Sequence, residues 1–320
     1  MERDTPVHRQ QPPDDVIPHR GEPMNKRIIK DPCHGYLRMD PLPAKEELER
    51  FYRDHYYGAI TNHRDFSLEP KSEELEFFAW RCADMIDAVR EHFGKTAGVS
   101  ILDIGCGYGY SLEHFKEAGM EPYGIEPSAE AAAYASGRGF QVIRHGIGEE
   151  APDFGKKFDV VLLMDVLEHL IDPAAALALA RLKLLRPGGL LIVDVPNDFN
   201  DFQTAADAEY NLDTWWVAPP QHINYFTAES IAQLLETCGF GVKGAESSFP
   251  MELFLLMGDV YVGNPGLGRQ CHGRRVAFER LMRKHKPEKL KKLYRALAQL
   301  GLGRQVVVYA VNPADAPANP

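Results

Sequence analysis

Twelve residues, Val99 to Tyr110, read VSILDIGCGYGY and constrain the fold of this 320-residue chain more than any other stretch. An aliphatic run ends in Asp103, after which Gly105, Cys106, Gly107, Tyr108 and Gly109 alternate glycine with other residues. A buried parallel strand, a tight turn and the start of a helix are the elements such a run predicts, because alternating glycines let backbone pass close to a ligand. The dinucleotide fingerprint needs a glycine at the sixth position of this turn, and Tyr110 stands there instead. Downstream, a strand over Glu121–Ile125 ends in Glu126, where an acidic side chain is placed to accept hydrogen bonds from ribose hydroxyls.

Two further segments follow in order. FDVVLLMDVLEHL (Phe158 to Leu170) is an apolar strand running into a helix, and LLRPGGLLIVDVPN (Leu184 to Asn197) is a helix end, a turn and another strand. The series of GxGxG, second-strand acid, DVLEHL and LRPGG resembles the class I S-adenosylmethionine (SAM)-dependent methyltransferases. That resemblance covers roughly residues 72–247 plus a last strand near 305–311. It implies an α/β doubly wound, mostly parallel seven-stranded sheet with an antiparallel last strand.

Alternating strand and helix patterns support the same architecture without the resemblance. Strands are predicted at Val99–Ile104, Glu121–Ile125, Gln141–Arg144, Val160–Met164, Leu190–Val195, Val242–Glu246 and Gln305–Val311. Before them, Leu75, Phe78, Cys82, Met85, Ile86 and Val89 recur at helical spacing, and Gly94 ends that helix. The expected division is a tail over 1–30, a segment over 31–71 covering the cofactor site, a methyltransferase domain over 72–247 and 305–312, a basic helical cap over 248–304, and a tail over 313–320. Within the cap, which is inserted between strands six and seven, Pro287 separates one helix facing inward through Phe278, Leu281 and Met282 from another facing inward through Leu290, Leu293, Tyr294 and Leu297.

Charge is unevenly spread. The net charge is −10, yet Arg269 to Arg304 hold twelve Lys or Arg against Glu279 and Glu288. The overall balance argues against general nucleic-acid binding, whereas the basic insert suits an anionic acceptor; its amphipathic helices also suit a homodimer. No apolar run reaches the ~18 residues needed to cross a bilayer, and the polar N-terminus reads as no signal peptide. Five cysteines without a CxxC pair fit reduced thiols, and a cytoplasmic location is expected. Similar methyltransferases begin with a cysteine-rich zinc module, of whose ligands only Cys33 remains here.

The resemblance implies SAM as cofactor and assigns it residues. Asp103 orients the amino-acid end through the loop amides; Gly105, Cys106, Gly107, Tyr108 and Gly109 form the cradle. Glu126 takes the ribose, with Pro127 after it, and Met164 and Asp165 lie at the end of a neighbouring strand. Tyr56 and Tyr57, with Tyr108, are placed to cover the sulfonium, which aromatic faces attract.

Candidate catalytic residues are His222, an imidazole able to take a proton from an acceptor hydroxyl, and Asp165. Trp215 and Trp216 line the acceptor pocket or serve as packing. The expected reaction is methyl transfer to a small-molecule or glycan-linked hydroxyl. One alternative is a metal-dependent enzyme of the RNA 2′-O-methyltransferase type. There Asp165, Glu168, His169 and His222 hold a hard cation, a set resembling the metal-binding segment of those enzymes and of ubiquinone O-methyltransferases. Another alternative is a non-catalytic SAM-binding protein.

Overall fold

The computed structural model describes residues 16–17, 27–50, 72–148, 150–219 and 221–314. Strands β1 (Val16–Ile17), β2 (Arg27–Lys30) and β3 (Leu37–Asp40) come first, then helix α1 (Lys45–Arg50). Helix α2 (Ser72–Phe93) leads into β4 (Ser100–Ile104), α3 (Tyr110–Glu117) and β5 (Glu121–Ile125). Next are α4 (Ala129–Gly137), β6 (Gln141–Ile143), β7 (Phe158–Met164) and a 3-10 turn, Leu167–His169. Helix α5 (Pro173–Leu179), β8 (Leu185–Pro196), α6 (Asp201–Tyr210), β9 (Asn224–Tyr225) and α7 (Ala228–Thr237) follow. The chain closes with β10 (Gly241–Ser247), α8 (Glu252–Leu256), α9 (Pro265–His285), α10 (Pro287–Gln299) and β11 (Gln305–Val311).

Seven strands form the main sheet in the order β10-β11-β8-β7-β4-β5-β6. Pairing is parallel from β8 through β6, while β11 runs antiparallel to both β8 and β10. This is the expected doubly wound sheet. All five residues of β4 are buried, as a central strand covered on both faces requires. One face packs Leu102, Leu163 and Val193 against Leu177 and Leu234; the other packs Ile101, Leu162 and Ile192 against Met85 and Val89 of α2. Each such side chain contributes about 1.5–3 kcal/mol by leaving water. Helix α2 ends where predicted, with Gly94 at φ 72° donating its amide to the Arg90 carbonyl. Its stripe departs at one end only, since Leu75 is exposed.

A second sheet, ordered β1-β2-β3-β9, lies outside the expected plan. Residues 27–30, placed in the tail by their proline-rich surroundings, form a strand because Ile28 buries with Met39, Trp216, Ile223 and Tyr225. Trp216 therefore belongs to a core, with Trp215 and Phe199 edge-on against it.

The insert is helical and Pro287 divides it, as expected, but α9 faces the other way. Leu281 is 60% exposed and Phe278 is also exposed, whereas Cys271, Arg275, Val276 and Glu279 are buried. A polar network sets this face: Arg275 donates to Glu279 at 3.1 Å, and the Tyr294 hydroxyl donates to the same carboxylate. On α10, Leu290 and Tyr294 turn inward and Leu293 is exposed. Four of the insert's cations pair with α2 and the edge strand: Arg280 with Glu76 (2.6 Å), Arg283 with Asp84 (2.7 Å), Lys291 with Glu91 (2.5 Å) and Arg295 with Glu246 (2.8 Å). These four side chains meet acids of the protein itself. Among the described residues, no helix is long and apolar enough to cross a membrane.

Candidate active site

The carboxyl ends of β4, β5, β7 and β8 converge on one edge of the sheet, where ligands of open α/β folds bind. Beyond β4 the chain turns through Gly105 at φ 79°, Gly107 at φ 54° and Gly109 at φ 78°. At Gly105 a side chain is excluded twice, by the left-handed backbone and by Val166 Cγ2 lying 2.8 Å from where a Cβ would stand. The amides of Gly105 and Cys106 both donate to the Ile125 carbonyl, binding the turn to β5. Cys106 points at β5: a Cβ on Gly124 would come within 2.4 Å of its Sγ. Burial pushes that thiol well above its usual range.

Asp103 is buried at the end of β4. The Ser111 hydroxyl donates to its Oδ2, while Oδ1 has no hydrogen-bond partner. Burial raises its pKa to about 7, with Glu126 and Asp165 adding repulsion and Ser111 opposing. Glu126 sits one strand away, accepting the Gly107 amide on Oε2 (3.0 Å) and the Ser128 amide on Oε1 (2.8 Å). Pro127 between them is half-buried, and Ser128 caps α4. Tyr108 leans on α4: its hydroxyl donates to Glu130 at 3.2 Å and its ring meets Tyr134 edge-on at 5.4 Å. Burial and Glu130 push the Tyr108 phenol up to about 12. Tyr56 and Tyr57 lie outside the described residues. Met164 ends β7 and packs with Met85 and Val160 in the core facing α2.

Asp165 follows at φ 55°, a left-handed conformation that costs a non-glycine residue roughly 1–2 kcal/mol. Both its oxygens are held, Oδ2 by Arg81 Nη2 at 3.0 Å and Oδ1 by Gln305 Nε2 at 2.9 Å. Arg81 also donates to Asp194 Oδ2 from Nε (3.0 Å) and Nη2 (2.6 Å). Burial lifts Asp194 to about 6 despite that partner. The expectation of Asp165 as a catalytic group, or as one of four metal ligands, therefore needs correction. Its carboxylate is engaged by Arg81 and Gln305, and it stands outside the ligand cluster described next.

The 3-10 turn presents Glu168 and His169 to His222. One ligand atom from each of the three lies within 4.8 Å of the others, the one such group among the described residues. Glu168 is 1% exposed and neither carboxylate oxygen has a hydrogen-bond partner. Burial, then Asp165, Asp194 and Asp198, raise its pKa far above the usual carboxylate range. The His169 Nδ1–H donates to the Gln221 carbonyl at 2.7 Å, which turns Nε2 and its lone pair toward Glu168 Oε1, 3.9 Å away. His222 stacks edge-on with His169 at 5.0 Å, and its Nδ1 is buried without a partner. Burial, with help from His169 and Arg304, lowers its pKa to about 3. A base must hold a proton near neutral pH, so this nitrogen is better suited to donating a lone pair. Backbone bonds fix the arrangement: Ile223 donates to the Glu168 carbonyl at 2.9 Å, and Asn224 Nδ2 donates to the Leu167 and Leu170 carbonyls.

Sequence reasoning missed Arg81, Asp194, Gln305, Asp198, Arg304 and Glu252. Arg304 donates to Glu252 at 3.0 Å, and burial raises Asp198 nearby to about 7 against the pull of Arg304. Asp194 had left a signal, an acid between valines in a strand otherwise apolar; the others left none. Together the edge gathers Asp103, Glu126, Asp165, Glu168, Asp194, Asp198 and Glu252 against Arg81 and Arg304. Buried acids in excess of cations favour a positively charged occupant, and the mixed oxygen and nitrogen donors of Glu168, His169 and His222 suit a divalent metal.

A family model described as the methyltransferase domain matches residues 68–243. A probable S-adenosylmethionine-dependent methyltransferase of Mycolicibacterium smegmatis is 32% identical over 150 residues, 47% of this chain and 54% of its own. A ubiquinone biosynthesis O-methyltransferase of Azorhizobium caulinodans is 36% identical over 123 residues, covering 35% of this chain and 48% of that one. Its counterpart in Ruegeria sp. is 33% identical over 172 residues, 52% of this chain and 69% of that one. The chain thus spans about half the length of the first two relatives. The plantazolicin methyltransferase BpumL, solved in complex with SAH, shares the fold: TM-score 0.50 at 19% identity, over 83% of this chain and 94% of that one.

Proposed function

Because this chain belongs to the SAM-dependent methyltransferases, we propose that it transfers a methyl group from SAM to a hydroxyl of a small-molecule or glycan-linked acceptor, with a divalent cation held beside that hydroxyl. The observation that carries the acceptor half is the meeting of Glu168, His169 and His222, with both Glu168 oxygens unpartnered. The relatives named ubiquinone biosynthesis O-methyltransferases support an oxygen acceptor on a small molecule.

When bound, SAM would supply a methyl group to an acceptor oxygen attacking in line, its sulfonium leaving as the neutral thioether and the hydroxyl proton passing to solvent. Positioning therefore supplies most of the catalysis. Glu126 holds the ribose hydroxyls; Asp103 and the turn through Gly105, Cys106, Gly107, Tyr108 and Gly109 cradle the amino-acid end. Pro127 and Met164 shape the walls. A divalent cation at Glu168, His169 and His222 would act as a Lewis acid, lowering the pKa of the acceptor hydroxyl. In this reading His222 is a ligand and Asp165 supports the turn.

A metal-free enzyme with His222 as base is the second reading. An RNA acceptor is the weaker alternative, since four cations of the basic insert, Arg280, Arg283, Lys291 and Arg295, are paired with Glu76, Asp84, Glu91 and Glu246. Incubation of the purified chain with methyl-labelled SAM and fractionated extract separates these. Label in small molecules or glycans, lost with chelator and restored by Mn²⁺ or Mg²⁺, is the expected result. Chelator-insensitive label favours the His222 base; label in RNA overturns the acceptor assignment; SAM binding without transfer to any fraction leaves a non-catalytic protein.

A further inference from the structure

The left-handed residue between β7 and the metal-ligand turn is gripped from two sides. Asp165 Oδ2 accepts from Arg81 of α2, and Oδ1 accepts from Gln305, the first residue of β11. Its amide donates to the Asp194 carbonyl at 2.9 Å, and Arg81 closes the loop by holding Asp194 through two bonds. Three residues on stands Glu168. We propose that Arg81 and Gln305 are positioning residues: by clamping Asp165 they fix the turn that aims Glu168 and His169 at His222.

This inference rests on reading that cluster as a cation site. The clamp has features that charge neutralisation alone does not require. A planar guanidinium spans two carboxylates on neighbouring strands, which an ammonium cannot do with the same geometry. Gln305 carries no charge, yet it holds the oxygen that Arg81 leaves. Aspartate tolerates positive φ better than most residues, but glycine adopts it without the side-chain contacts. The contacts, and not the φ angle alone, therefore fix the direction of the turn. Gln305 also stands where the insert re-enters the sheet, so the clamp joins the insert to the turn.

The test is calorimetric binding of Mn²⁺ and, separately, of SAH to the full chain and to Arg81→Lys, Gln305→Leu, Asp165→Gly and the Arg81→Lys/Asp165→Gly double variant. Arg81→Lys and Asp165→Gly are expected to weaken Mn²⁺ on the order of tenfold, the size typical of groups that orient ligands. Gln305→Leu should weaken it several-fold. SAH affinity should stay within about twofold in Arg81→Lys and Gln305→Leu, and the double variant should bind Mn²⁺ no worse than the poorer single one. Unchanged Mn²⁺ affinity in folded Arg81→Lys and Gln305→Leu overturns the inference. Equal losses of Mn²⁺ and SAH affinity also overturn it, because they mark general destabilisation. Gln305→Leu guards against misfolding of the arginine variant, since it removes only a neutral hydrogen bond. Wild-type protein that binds SAH but no Mn²⁺ overturns the cation reading itself, before any substitution is made.

Discussion

Two charged regions of this molecule obey opposite rules. Along the flank where the insert meets α2, cations and acids come in pairs: Arg280 with Glu76, Arg283 with Asp84, Lys291 with Glu91. At the carboxyl edge of the sheet, acids outnumber cations, and Asp103, Glu168, Asp194, Asp198 and Glu252 each keep a buried oxygen without a partner. Paired charges near the surface contribute little and need nothing more. Unbalanced buried charges are costly unless something arrives to balance them. In the proposed reading the acid-rich edge takes the ligands, and the paired cations of the insert serve the scaffold.

The sharpest way to break this contrast is Glu168→Gln. It should lower Mn²⁺ affinity by ~100-fold or more, read by calorimetry, with methyl transfer falling in parallel; ligand loss should exceed the 10–100-fold typical of orienting groups. Retained metal affinity would return the unpartnered carboxylate to mere packing. Next in size, Glu126→Ala removes an acceptor of charge-assisted hydrogen bonds worth about 1.5–3 kcal/mol each, so SAM affinity should fall by tens-fold or more. A loss below threefold in a titration would remove Glu126 from the ribose.

Asp103 offers a third test. Its carboxyl, raised to about 7, is largely protonated at pH 6 and ionised at pH 8. The ionised form attracts a cation, so SAM should bind up to about tenfold more tightly at pH 8 than at pH 6. Asp103→Asn should flatten that difference, and an unaltered pH dependence in the variant would assign the titration elsewhere. The smallest effect belongs to the other region. Arg280→Ala should cost about 0–1 kcal/mol in urea unfolding and leave methyl transfer unchanged. A raised acceptor KM in this variant would mean that the basic face does meet substrate.

What the sequence revealed depended on the range of the interaction. Helix α2 and strands β5 and β11 coincide with their predicted ranges, because apolar periodicity and glycine punctuation are local signals. The glycine turn and Glu126 were legible for the same reason. The inward face of α9 was not, because a buried Arg275–Glu279–Tyr294 network chose it against the apolar count. Strand β2 was hidden by prolines around it, and its partners lie in a core shared with Trp216 and Ile223. Arg81 meets Asp194 across 113 positions of chain, a distance at which no spacing rule operates. Of the expected metal set, three residues converge, and Asp165 is held aside by Arg81 and Gln305.

The pairing of Leu37 with Tyr225 and of Arg38 with Asn224 also carries a cost in chain entropy. The glycine turn and Glu126 come together within a short stretch of chain. The wall beside His222 closes only when a hairpin near the beginning finds a strand made much later. Contacts so distant in sequence carry a larger loop-closure cost and form slowly. Closing β3 onto β9 therefore costs more chain entropy than closing the glycine turn onto Glu126.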